Sequence, residues 1–455
     1  MAANAASNIA QKAMGEVPVS VANEDKQATS GSDMLACCWA GKGKVELRRV
    51  PKPDITDAED VIVKITGTTG TCTHNKMHTA VEHNCIVCGS DLHLYHGELM
   101  QLKEGEVLGH EFIGTVEKIG HDVTKVRPGD RVVAAFNIAC GKCEWCTKGL
   151  FTSCSCANNS SVMDKLYGHR ISGVLGYSHM LGGFSGGQAE YCRVLFGNTN
   201  LLKIPDSLPD EKALYLSDIV PTSFHCVFDS GAKEGEAVGV WGLGPIGLCA
   251  CQWLRKVFKV RRIIAVDNVP ERLQLARDLW GVECINFDVD TDVASKILEL
   301  EPRGLDRSLD CAGFRYSKGL LHKIERAVGL ETDTSEVINE AIRATKKFGT
   351  VALIADYAAY TNHLLIGGIM EKGIRLVGCG QAPIQSYWDK CLEYMVNGEF
   401  DPSVILTHRF KLEDIVEVYR RFDNKENGIM KTFIETRFSR PAMPGSPGLT
   451  TVHHT

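Results

Sequence analysis

The chain lacks several features, and each absence excludes something. No run of about 18 apolar residues occurs in its 455 positions, which argues against a membrane-spanning helix. There is no basic excess. Lys and Arg number 50 against 56 Asp and Glu, a formal net charge of -6, which disfavours a general nucleic-acid binder. Residues 1–33 hold no arginine and no apolar core of the kind a secretory signal needs. They read as a flexible extension of a cytoplasmic protein. No internal repeat is found. With no export signal, the 18 cysteines point to metal ligands or buried apolar positions rather than disulfides. Cys37, Cys38, Cys249 and Cys251 fall in apolar surroundings and read as core.

What is present divides into two patterns. From Met34 short alternating segments (34–50, 60–67, 111–119, 130–135) are separated by Gly and Pro, the mark of an irregular β-rich region. Beyond Leu214, apolar runs at 237–242, 262–267, 284–287, 308–313, 350–356 and 375–380 alternate with segments of helical composition. That alternation predicts a doubly wound parallel sheet, and so an α/β fold. The link 314–349 is long. It reads as one or two helices inserted over the carboxyl edge of the sheet.

The segment VWGLGPIGLCACQWL places Gly242, Gly244 and Gly247 in G-x-G-x-x-G, directly after a strand and at the start of a helix. Asp267 follows 20 residues after the last glycine, at the end of the next strand. In that context the glycines, with Pro245 and Ile246, predict a dinucleotide site. Gly242 permits the turn, Gly244 the approach of a pyrophosphate to the helix N-terminus, and Gly247 close helix–strand packing. Asp267 would accept from the adenosine ribose hydroxyls and repel a 2′-phosphate, favouring NAD over NADP. The loop CGKCEWCTKGLFTSC supplies Cys140, Cys143, Cys146 and Cys154. Four thiolates so spaced suit a closed, tetrahedral structural zinc site. Cys156 is a spare thiol that fits the spacing less well.

Three further stretches, VCGSDLH (87–93), GHE (109–111) and LSDIVPT (216–222), each carry metal-binding residue types near turns. Together with the glycine turn and the cysteine loop, they make the chain resemble the zinc-dependent medium-chain alcohol dehydrogenases over about 34–437. Asp218 and the long 314–349 link are most similar to the glutathione-independent formaldehyde dehydrogenase and dismutase subgroup. The resemblance implies a GroES-like catalytic domain (34–218), a Rossmann NAD-binding domain (219–380), a return to the catalytic domain (381–437) and, from composition, a disordered tail (438–455). It implies two zinc ions per chain, NAD, and a homo-oligomer, dimer or tetramer.

It also implies roles. Cys88, His110 and Asp218 would hold the catalytic zinc, with Glu111 behind the metal. Asp91 would orient His110, Ser90 and His93 would relay a proton, and Thr222 would face the nicotinamide. The implied reaction is hydride transfer to NAD from a small alcohol or hydrated aldehyde. A polyol or secondary-alcohol substrate is the alternative.

The chain departs from the family between its third strand and Cys88. About 17 residues, 70–86, intervene, and their removal would restore TTVCGSDLH. Cys72, His74, His78, His83 and Cys85 in this segment could chelate a metal, but no periodicity supplies a scaffold for them. If the segment disrupts the site, the protein is a non-catalytic NAD binder.

Overall fold

The computed structural model describes residues 29–70, 90–97, 99, 101–312, 333–357, 360–424 and 428–452. Cys88 and the metal-binding residue types at 72–85 lie outside the described residues, as does 313–332 of the long link.

Alternating segments in the first half become strands. β1 (Thr29–Trp39) and β2 (Val45–Pro53) pair antiparallel, so Thr29 to Asp33, expected within the flexible extension, belong to a strand. β3 (Val61–Thr68), β4 (Phe112–Ile119) and β5 (Arg131–Ala134) form the spine of a seven-stranded sheet. β6 (Asn137–Ile138) and β7 (Gly173–Val174) make a separate pair, while β8 (Tyr191–Val194) and β9 (Leu201–Lys203) join the larger sheet. Before β4 lies a short helix, α1 (Ser90–Tyr95).

α2 (Ile219–Asp229) leads into the second half. There β10 (Ala237–Trp241), β11 (Arg262–Asp267), β12 (Glu283–Asn286), β13 (Leu305–Asp310), β14 (Thr345–Leu353) and β15 (Arg375–Gly378) form one parallel sheet, ordered β12-β11-β10-β13-β14-β15. The order reverses beside β10, the switch point at which such sheets bind ligands. Every residue of β10 is buried, as expected for a strand covered on both faces. The covering helices include α3 (Pro245–Lys256), α4 (Pro270–Trp280), α5 (Val293–Leu300), α6 (Glu336–Ala344) and α7 (Ile366–Lys372). Proline stands at the start of α3 and α4, where its missing N–H has no intrahelical partner to lose. α8 (Trp388–Val396) follows. The chain then returns through β16 (Leu406–Lys411), α9 (Ile415–Asp423) and β17 (Lys431–Glu435), which complete the first sheet beside β3.

Two expectations change. In the described part of the long link, α6 buries Val337, Ile338, Ala341 and Ile342 against the parallel sheet, and β14 begins at Thr345. This part is a crossover helix rather than a cover over the sheet edge, because its apolar residues recur at helical spacing. The tail is ordered through residue 452. Met443 donates its N–H to Glu211 (2.8 Å), Thr450 donates to the Arg409 carbonyl (2.8 Å), and the Phe438 ring packs edge-on against Tyr191. A Pro- and Gly-rich composition removes periodicity but not these anchors.

α2 joins the two halves. Phe224 meets Trp253 of α3 edge to face at 5.1 Å, Trp253 stacks on Phe400 at 3.7 Å, and the indole N–H donates to Ser223 Oγ at 3.0 Å. Trp253 is fully buried. Trp253→Ala is expected to cost about 3–5 kcal/mol, through lost burial and the cavity left behind. Urea unfolding followed by circular dichroism measures it. A loss below about 1 kcal/mol would contradict this packing role.

Candidate active site and metal centres

His110 precedes β4, with both its side chain and that of Glu111 buried. Its Nδ1 lies 3.2 Å from Asp91 Oδ1 on α1. Its Nε2 points the other way, 3.6 Å from Asp218 Oδ2 and 3.6 Å from Glu111 Oε1. The donor atoms of His110, Glu111 and Asp218 all lie within 4.8 Å of one another. Burial alone would lower the His110 pKa, but Asp91, Asp218 and Glu111 override it and raise it to about 10. Burial likewise opposes ionisation of Asp218, yet the hydrogen bond and charge of His110 hold its carboxyl below the usual range. Desolvation pushes Glu111 upward against the pull of Lys431. Three carboxylates gather around His110, and among the described residues Lys431 is the ammonium paired with them. These carboxylates make the pocket favour a cation. Nitrogen and carboxylate donors suit zinc.

The expected residues fall into place unevenly. Asp218 caps α2, and Thr222, one turn on, donates its hydroxyl to Asp218 Oδ1 (2.5 Å). Thr222 was expected to face the nicotinamide. Its hydroxyl bonds the candidate ligand because residues four apart on a helix are neighbours. His93 is buried on α1. Ser90 opens α1, and Cys88 lies outside the described residues.

Three residues escaped the sequence reading. Lys431 of β17 is completely buried and paired with Glu111 Oε1. Gln188 donates to Asp91 Oδ2 (3.2 Å) and accepts from the Tyr419 hydroxyl (2.8 Å), fixing the carboxylate that holds His110. These come from β17, a loop and α9, more than 70 positions from His110, and no motif marks them.

The cysteine loop converges as its spacing implies. Cys143 Sγ lies 3.5 Å from Cys146 Sγ and 3.9 Å from Cys154 Sγ, and Cys140 Sγ lies 4.0 Å from Cys146 Sγ. Tetrahedral zinc with bonds of about 2.3 Å requires sulfurs about 3.8 Å apart. Backbone N–H groups of Lys142 and Cys143 point at Cys140 Sγ (3.4 Å each). Burial would raise the Cys143 thiol, but N–H groups of Cys146 and Ser155 draw it down to about 6. Burial pushes Cys154 up to about 11. A cation would hold all four as thiolates. The spare Cys156 is exposed.

At the glycine turn, Gly242 has φ +88 and donates its N–H to the Val266 carbonyl (2.8 Å). A Cβ on Gly247 would lie 1.8 Å from the Gly242 carbonyl oxygen, so only glycine lets α3 approach β10 this closely. Gly244 caps α3, Pro245 opens it, and first-turn N–H groups such as that of Ile246 have no intrahelical acceptor, so they are available to a phosphate. Asp267 is buried at the end of β11. Its Oδ2 accepts from Leu243 N–H (2.6 Å), and its Oδ1 accepts from Asn268 (2.7 Å) and Val269 (2.9 Å). The carboxylate therefore ties the glycine turn to the second strand.

The comparisons with known proteins agree with this construction. Residues 80–206 match the alcohol dehydrogenase GroES-like domain, and 245–397 match the zinc-binding dehydrogenase domain. A zinc-type alcohol dehydrogenase-like protein of Schizosaccharomyces pombe is 38% identical over 434 residues, covering 95% of this chain and 98% of that one. A glutathione-independent formaldehyde dehydrogenase of Pseudomonas aeruginosa is 29% identical over 396 residues, covering 84% and 90%. The solved structure of an alcohol dehydrogenase from a Thermus species superposes with a TM-score of 0.71 at 30% identity, covering 89% of this chain and all of that one. The chain belongs to the zinc-dependent alcohol dehydrogenases, and its fold is a GroES-like domain joined to a Rossmann domain.

Gly247→Val is expected to lose measurable NAD binding in fluorescence titration while its zinc content stays unchanged. Unaltered affinity would remove the glycine turn from the cofactor site.

Proposed function

We propose that the protein oxidises a small alcohol, or a hydrated aldehyde of formaldehyde size, with NAD as hydride acceptor. The buried cluster of His110, Asp218 and Glu111 carries this reading. When bound, zinc supplies Lewis acidity toward the substrate oxygen and NAD supplies the hydride acceptor. Cys88 would complete the zinc ligand set with His110 and Asp218. Asp91, itself held by Gln188, aims the His110 ring. Thr222 fixes the Asp218 carboxylate, and Lys431 holds Glu111 beside the metal position. Ser90 and His93 pass the substrate proton toward solvent.

Asp267 takes the ribose hydroxyls with its remaining accepting capacity, and its charge disfavours a 2′-phosphate. That supports NAD over NADP. An aspartate in the third ligand position, together with the Pseudomonas aeruginosa relative, supports a formaldehyde-like substrate over a polyol.

In this reading the enzyme works in the cytoplasm as a homo-oligomer. No helix among the described residues is long and apolar enough to cross a membrane. The outer strand β15 is largely exposed, and beside it Phe348, Ile366 and Met370 present apolar side chains to solvent, which supports self-association.

The test is NADH formation across formaldehyde, benzyl alcohol and sorbitol, using the full chain and a form lacking residues 70–86. Formaldehyde or benzyl alcohol is expected to turn over, faster in the shortened form. Preference for sorbitol would support the polyol reading. Hydride transfer by neither form would make the chain a non-catalytic NAD binder.

A further inference from the structure

A second cluster of metal-ligating side chains lies at the far end of α2 from Asp218. At 1.5 Å per residue His225 lies about 10 Å and Asp229 about 16 Å along the helix from Asp218, so the cluster is separate from the candidate active site. His225 and Asp229 stand four residues apart and so share one face of α2. Cys379, immediately after β15, faces them. A ring nitrogen of His225, a carboxylate oxygen of Asp229 and Cys379 Sγ all lie within 4.8 Å of one another.

The surroundings hold these donors in place. Tyr387 Oη lies 2.8 Å from His225 Nδ1, and the two rings pack with centroids 5.4 Å apart, which sets the tilt of the imidazole. Cys379 donates its N–H to the Leu353 carbonyl at 2.8 Å and is buried. The Cys379 thiol also points at the Val377 carbonyl (3.8 Å). Burial holds the imidazole below its ordinary pKa, so His225 is neutral and offers a lone pair at neutral pH. Asp229 is exposed, which gives an ion a route from solvent. The cluster sits at the C-terminal end of an 11-residue helix, where the last carbonyls favour a cation.

We propose that His225, Asp229 and Cys379 form a third metal site, for a borderline divalent ion of the zinc or cobalt class. One nitrogen, one oxygen and one sulfur donor suit such ions, and three protein ligands leave a position for water. Bound metal would staple the end of α2 to the outer strand of the parallel sheet. None of these residues is among those assigned above to the zinc or NAD sites, so the site is structural or regulatory.

The test uses zinc-loaded full-length protein dialysed against Zn²⁺, and in parallel against Co²⁺, with bound metal counted by elemental mass spectrometry. Wild type is expected to hold one metal ion per chain more than Cys379→Ser and Asp229→Asn, while both variants keep wild-type dehydrogenase turnover. With Co²⁺, a thiolate charge-transfer band present in wild type is expected to weaken in Cys379→Ser. Asp229 is on the surface, so Asp229→Asn tests the site even if Cys379→Ser folds poorly. Equal metal content in wild type and Asp229→Asn would overturn the proposal. An extra ion retained by both variants would place it elsewhere, and would overturn it equally.

Discussion

Negative charge buried without matching positive charge is the constraint around which this protein is built. Asp91, Glu111 and Asp218 converge on His110 in a largely buried region, with Lys431 paired to Glu111. Removing an ion from water costs several kcal/mol even after relaxation, so such a group persists only where something compensates it. Each neighbour serves that end. Gln188 and Tyr419 steady Asp91, Thr222 ties Asp218 to the first turn of α2, and Lys431 neutralises Glu111. The nitrogen and carboxylate donors that face one another there suit a zinc ion. In such a site, zinc binding and the order of the surrounding side chains are one equilibrium.

α2 transmits this constraint to the rest of the fold. Its N-terminus carries a candidate zinc ligand, its buried face packs on Trp253 of α3, and its C-terminus carries His225 and Asp229. α3 in turn begins at the glycine turn that would receive the cofactor phosphates. One helix pair therefore links the metal position to the dinucleotide position through packed aromatic side chains. Hydride transfer requires such a fixed link, since donor and acceptor must be held within about 3–3.5 Å.

Much of this was legible in the sequence because the signals were local. Six apolar runs marked the parallel sheet within a few residues of its strands, most clearly at β10 and β11, which are buried almost throughout. Glycine spacing found the turn at Gly242, and cysteine spacing found the four-thiol loop and chose Cys154 over Cys156. His110 and Asp218 became readable only in combination, since each is an ordinary residue alone. Lys431, Gln188 and Tyr419 left no trace, because their importance arises from contacts between distant segments. The tail misled for the opposite reason. Proline and glycine hid the anchors that Arg409 and Glu211 provide.

Zinc counting in Asp218→Asn tests the central claim most directly. The substitution keeps the shape of the side chain and removes one of the buried negative charges. The account predicts that the variant loses one zinc ion per chain and nearly all turnover, while the ion of the four-thiol loop and NAD binding persist. Full zinc content together with wild-type turnover in Asp218→Asn would contradict it.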